Sequence, residues 1–176
     1  MIYSDILASM LKVKGKPLRD YGNYLGIKEG VACVTDGYGL LLWLPNEPIG
    51  ENRTINQKFE TVDYTFPNWQ NLTSNKGGKP VSNIHLFTAI QKSSFNFKDF
   101  KLVIDTNGLA VIRENTASNP NDNNTYFNLS CIKRYLDKLP KKAAISDSEF
   151  NDDKILLTFE MDKEYFQLLT TTNKKG

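Results

Sequence analysis

Histidine is almost missing from this chain, with one residue in 176, and cysteine is scarcely better represented, with two. His85 has no Cys or second His at ligand spacing, so it does not build a metal site, which needs several ligands at matched geometry. Cys33 and Cys131 stand in apolar surroundings of separate elements. With no N-terminal signal pattern, both read as reduced, buried small hydrophobes, and the protein as cytoplasmic. No apolar run approaches the ~20 residues of a membrane span; the longest, residues 40–44, has the length of a strand. Nucleophile elbow, Walker loop and dinucleotide fingerprint are all lacking. The glycines near Gly26, Gly30, Gly37 and Gly39 fall at strand turns, not at a strand-to-helix junction. Neither catalysis nor a cofactor is expected.

Charge of one sign is lacking too: 22 basic residues face 20 acidic ones, a net charge of +2, so any electrostatic argument must be local. Arginine is scarce, 4 against 18 lysines. Lysine is a point charge, whereas arginine reads guanine edges and phosphates through a bidentate fork. A nucleic-acid contact here would therefore be mostly independent of sequence.

What is present is enough hydrophobic content, 40% with 11% aromatic, for a core. Residues 4–11 read as a helix: Ser4 can cap it, and Ile6, Leu7, Met10 and Leu11 share a face. It ends toward Gly15 and Pro17. Residues 24–27, 31–34 and 40–44 form a strand meander, and residues 59–64 a further strand. Gly77-Gly78-Lys79-Pro80 cannot continue either regular structure, so the boundary falls there. The expected organisation is a first unit over residues 1–74, a linker over 75–80, a second unit over 81–173 and a frayed tail over 174–176. In the second unit Ser82 or Asn83 caps a short helix through Lys92. Asn107-Gly108 closes a hairpin, and residues 115–124 form a polar loop. Asn128 caps a helix whose Leu129, Ile132, Leu136 and Leu139 recur at three- and four-residue spacing until Pro140 stops it. Strands follow at 143–146, 155–160 and 165–171.

Three groups of residues carry candidate chemistry. Asp147, Glu149, Asp152 and Asp153 could do acid–base work or hold Mg²⁺, but placed in a loop between strands they read as solvated charges. Lys133, Arg134, Lys138, Lys141 and Lys142 crowd into ten residues, mostly opposite the leucine seam. That face could lie along a phosphate backbone or simply be solvated. Among the aromatic residues, Phe95, Phe97 and Phe100 read as packing residues of a strand. Trp69, beside a proline in a junction, is either a contact surface for a partner or a plug between units.

The run from Phe127-Asn128-Leu129-Ser130 through Leu139, followed by strands and ending in Tyr165-Phe166-Gln167-Leu168-Leu169, resembles the second half of a module of the bacterial sliding clamp, the DNA polymerase III beta subunit. Upstream, Val34-Thr35-Asp36-Gly37-Tyr38-Gly39-Leu40 is similar to that family's alanine-threonine-aspartate-glycine-histidine-arginine-leucine strand. Thr65-Phe66-Pro67-Asn68-Trp69 is similar to its Phe-Pro segment between modules. Tyr38-Gly39 stands where the family has His-Arg, the first unit lacks a second helix and its strands, and the closing Met-Pro strand is absent. These departures fit a divergent member, such as a phage or mobile element would carry. The resemblance implies an α+β, DNA-clamp-like fold with short helices on one face of antiparallel sheet, one module complete and one truncated. In the family, helices line a ring around duplex DNA and partner peptides dock in an apolar cleft near a module junction. Carried over by position, the DNA-facing residues are Lys133, Arg134 and Lys138, then Lys141 and Lys142, and Gln91 and Lys92 on the preceding helix. Trp69 would be the partner contact, and a ring would require a homo-oligomer. The expected function is thus a non-enzymatic DNA-binding accessory of replication, of the processivity type. The competing readings are a protein–peptide interaction module on the same fold without DNA encirclement, and a nuclease or hydrolase using the acidic cluster.

Overall fold

Leu40, Leu41, Leu42 and Trp43 are all buried, although successive side chains of a strand point to opposite faces. Such a strand must be covered on both sides. In the computed structural model, which describes residues 3–12, 19–70, 78–116 and 123–172, this run is β3 (Gly39–Leu44), the centre of an eight-stranded antiparallel sheet. The other strands are β1 (Leu25–Lys28), β2 (Val31–Thr35), β4 (Arg53–Ile55), β5 (Thr61–Val62), β9 (Ala144–Phe150), β10 (Lys154–Met161) and β11 (Glu164–Thr171), in the order β5-β4-β1-β2-β3-β11-β10-β9. A second sheet, ordered β7-β6-β8, holds β6 (Phe100–Ile104), β7 (Ala110–Glu114) and β8 (Thr125–Asn128). The helices are α1 (Tyr3–Leu11), α2 (His85–Lys92) and α3 (Leu129–Leu136). All three bury their apolar faces in one core, and α3 packs against both β11 and β6.

Strands before residue 63 and strands after residue 143 meet at one pair, β3 with β11. Its register sets Leu41 opposite Leu168 and Trp43 opposite Phe166, whose rings stack with centroids 6.4 Å apart. Gly39 begins this pairing opposite Thr170. A methyl group there would lie 2.5 Å from the Leu169 carbonyl oxygen and 3.0 Å from the Tyr135 ring, so only glycine lets strand and ring approach this closely. On the face away from the helices, Cys33, Leu40, Leu42, Leu156 and Leu169 make a second apolar cluster, covered by Phe66 and Trp69. Phe66 lies flat on Gly26, where an added Cβ would be 2.5 Å from its ring.

The turns follow the local signals. Glu29-Gly30 joins β1 to β2 and Asp162-Lys163 joins β10 to β11, each pair with both φ positive, as a two-residue hairpin turn demands. Gly108, at φ +84°, sits in the turn expected between β6 and β7. Asn128 caps α3, its side-chain oxygen accepting the Cys131 amide at 2.9 Å.

Four expectations need correction. Asn83 does not cap α2, which starts at His85; its amide side chain instead bonds both the carbonyl and the amide of Ala110 at 2.8 Å, tying the start of β7 to the helix entry. The strand expected over 59–64 shrinks to β5, because Phe59 takes φ +62° and stands exposed, while β4 forms just upstream at Arg53. Of the three phenylalanines, only Phe100 lies on a strand; Phe95 and Phe97 precede it in a loop, and Phe95 packs edge-to-face on both others. The acidic group is no single loop, since β9 runs on through Asp147 and Glu149 to Phe150. The first half of the expected linker, residues 75–77, the middle of the 115–124 loop, the turn at Gly15 and Pro17, and the tail lie outside the described residues.

Replacing Gly39 by Ala should force β3 and β11 apart and cost about 1–3 kcal/mol. An unchanged urea midpoint in Gly39→Ala would contradict the close packing described at this strand pair.

Candidate nucleic-acid interface

α3 is amphipathic by the spacing of its residues. Leu129, Cys131, Ile132, Tyr135 and Leu136 are buried, which turns Lys133, Arg134 and Asp137 toward the rim and the solvent. The expected cations thus reach one side of the protein, but most are already engaged. Lys133 Nζ donates to the Ser93 carbonyl at 2.6 Å and the Gln91 carbonyl at 3.2 Å, and pairs with Asp137 at 2.8 Å. Those carbonyls belong to the last turn and cap of α2, where a helix presents unpaired acceptors and the negative end of its dipole. Lys138 does the same for α1, donating to the Met10 carbonyl at 3.0 Å and to the Lys12 carbonyl, while Ser9 Oγ donates to the Lys138 carbonyl at 2.7 Å. Burial pushes the Lys138 ammonium down to about 8, with Asp36 opposing the shift and Arg134 adding to it.

Arg134 is half exposed, yet its guanidinium pairs with Asp36 at 2.8 Å. Asp36 follows β2, in the turn to β3, and is the centre of a knot. The Tyr135 hydroxyl lies 2.6 Å from Asp36 Oδ1 and 2.7 Å from the Gly39 carbonyl, and accepts the Asp36 amide at 2.9 Å. The same carboxylate accepts the amides of Tyr38 and Gly39. Burial would raise the Asp36 pKa, but the hydrogen bonds from Tyr135, the Tyr38 amide and Arg134 outweigh it and hold the carboxyl below its usual range. Burial, reinforced by this carboxylate, pushes the Cys131 thiol up to about 12, and burial alone raises Cys33. Neither is a reactive thiolate.

Lys92, Lys141 and Lys142 are exposed and, among the described residues, make no ion pair. The Gln91 side chain donates to the Ala143 carbonyl at 3.4 Å, which brings the end of α2, where Lys92 stands, beside the turn after α3 that carries Lys141 and Lys142. Trp69 lies elsewhere. It is 8% exposed and packs in the apolar cluster on the far face of the sheet. Beside it a groove of about 290 Å³ is lined by Phe66, Pro67 and Trp69 with Lys28, Asn52 and Arg53. Asp147 and Glu149 lie on β9, and Asp152 and Asp153 in or beside the turn that follows; among the described residues no three acidic, His or Cys side chains converge as a metal site would need. No helix among those residues is long and apolar enough to cross a membrane.

Sequence reasoning located the cations but missed their partners. Asp36 entered only as part of a short motif, and nothing local marks Met10, Lys12, Gln91 or Ser93 as carbonyl acceptors. The single available signal was the lone Tyr135 on the buried side of an otherwise aliphatic helix, since a buried phenol needs a polar partner.

Compared with solved structures, the chain has the DNA-clamp fold. It is similar to the DNA polymerase sliding clamp of Pseudomonas aeruginosa, with a TM-score of 0.58 at 14% identity over 94% of this chain and 62% of that one. It is similar also to the DNA polymerase III beta chain of Streptococcus pneumoniae, with a TM-score of 0.62 at 11% identity over 97% and 62%. A chain of the PCNA2–PCNA3 complex of Sulfolobus tokodaii gives 0.56 at 8% identity over 98% of both. The chain therefore spans about 62% of the length of these two bacterial clamps. No protein-family model matches it, and no curated protein matches it in sequence.

Two outcomes follow from the Asp36 knot. Tyr135→Phe leaves the Asp36 amide without its acceptor and takes a donor from the Asp36 carboxylate and the Gly39 carbonyl, and should lower unfolding free energy by about 1–3 kcal/mol in urea titration; a wild-type midpoint would mean that the hydroxyl holds nothing. Asp36 has a lower pKa folded than unfolded, so in acid the unfolded chain binds the extra proton. Its contribution is complete above the unfolded carboxylate range, near ~3.9, and fades as pH falls through the folded value. Asp36→Asn should accordingly lose less stability between pH 5 and acid, at roughly one proton less uptake, than the unaltered protein does. Equal acid dependence of the two would contradict the pairing.

Proposed function

We propose that this chain is a non-enzymatic, clamp-like DNA-binding protein that serves replication as an accessory of the processivity type. The observation that carries this reading is the helix layer. Three short helices lie together beneath the sheet, and on or next to them stand the exposed Lys12, Lys92, Lys141 and Lys142 and the half-exposed Arg134. A cationic surface of this kind suits the regular negative charge of a duplex and, being built mainly from lysine, does not discriminate among bases. The fold supports it, since the solved structures it matches include DNA polymerase sliding clamps. With one module complete, encirclement of DNA would need several copies of the chain, so the reading includes a cytoplasmic homo-oligomer.

One observation favours a second reading, a protein–peptide interaction module on the same fold. The groove beside Trp69 has an apolar wall and a rim of Lys28, Asn52 and Arg53, a chemistry suited to a short peptide, and replication proteins carrying such a motif would be its partners.

Fluorescence anisotropy with labelled duplexes of unrelated sequence separates the two. The DNA reading expects equal affinity for all of them and a linear fall of log K with log salt, at a slope of about −0.9 per phosphate contact. A chain that binds no duplex at low salt, linear or nicked circular, yet retains a partner protein, would sink the first reading and leave the second.

A further inference from the structure

The cations on and after α3 do not share one role, and their hydrogen bonds divide them. Lys133 and Lys138 direct their ammonium groups at the backbone carbonyls that end α2 and α1. A lysine so placed has used its donors. Swinging out to a phosphate would strip two carbonyls of their partner at a helix end, at a cost of the order of the contact it would gain. Lys133 is further held by Asp137, and only 13% of its side chain is exposed. Lys92, Lys141 and Lys142 differ: they are exposed, among the described residues they have no ion pair, and the bond from Gln91 to Ala143 joins the helix end and the turn that carry them. Of the three, Lys142 also lines a shallow groove with Glu160 and Asp162, which places it nearest to carboxylates.

Resting on the DNA-binding reading above, we infer that Lys92, Lys141 and Lys142 are the phosphate contacts, while Lys133 and Lys138 are positioning residues that clip α2 and α1 to α3. Arg134 belongs with the positioning residues through Asp36, although its exposed half leaves it at the margin of the contact surface. The ligand is the phosphodiester backbone of a duplex, met at the end of α2 and the turn after α3 rather than along the length of α3.

The test is the salt dependence of duplex binding, measured by anisotropy on the full chain. Each phosphate contact contributes about 0.9 to the log–log slope, so Lys92→Gln/Lys141→Gln/Lys142→Gln should flatten it by up to roughly 2.7. A control with the same loss of charge at exposed positions elsewhere, Lys58→Gln/Lys79→Gln/Arg113→Gln, should keep the wild-type slope. Lys133→Gln/Lys138→Gln should melt several degrees lower and, where folded, also keep it. Should that pair fail to fold, the two triple variants decide alone, since their residues are all exposed. The inference is overturned if the first triple keeps the wild-type slope, if the control flattens it equally, or if the folded Lys133/Lys138 variant is the one that flattens. In each of these cases the unaltered protein still binds DNA and the broader reading stands. Absence of duplex binding by the unaltered protein at low salt overturns both.

Discussion

The helix layer depends on how one buried polar knot is satisfied. Asp36 and Tyr135, 99 positions apart in sequence, meet where the turn between β2 and β3 passes under α3. A phenol and a carboxylate removed from water need partners, and here each is the other's, with Arg134, three backbone amides and the Gly39 carbonyl completing the set. This fixes α3 in rotation and position over the β3–β11 pair. Once α3 is fixed, Lys133 and Lys138 reach the ends of α2 and α1, so the other two helices take their places from it. Gly39 is the steric condition of the same knot, since any side chain there would displace the Tyr135 ring or the neighbouring strand.

This reframes what a basic helix means. Charge density alone suggests a surface offered to a polyanion, and the cluster was conspicuous for that reason. Hydrogen bonding assigns much of it to the protein itself, because a helix C-terminus is an acceptor-rich, negative site that a lysine satisfies as well as a phosphate satisfies the lysine. The cations left for a ligand are those on connecting turns and helix ends, where no carbonyl competes for them.

What was legible in the sequence follows the range of the forces involved. Asn128 capping α3, the Asn107-Gly108 turn, the meander from Leu25 to Leu44 and the α+β clamp-like fold class all rest on patterns within a few residues or on short motifs. Asn83 misled because a good capping residue is equally good at bonding a strand backbone, and Ala110 lies 27 positions away. Asp147 and Glu149 misled because their polarity hid an edge strand, where one face needs no apolar residues. The candidate site was legible as a set of charges but not as a set of partners, since each partner of Arg134 or Lys138 lies about a hundred positions or more away.

The division between clipping and contacting lysines is most directly tested by amine labelling with mass-spectrometric readout, in the presence and absence of duplex DNA. The account predicts that DNA protects Lys92, Lys141 and Lys142 from labelling, while Lys133 and Lys138 label at the same rate with and without it. Fast labelling of Lys133 and Lys138 that DNA suppresses, with Lys92, Lys141 and Lys142 unaffected, would contradict it.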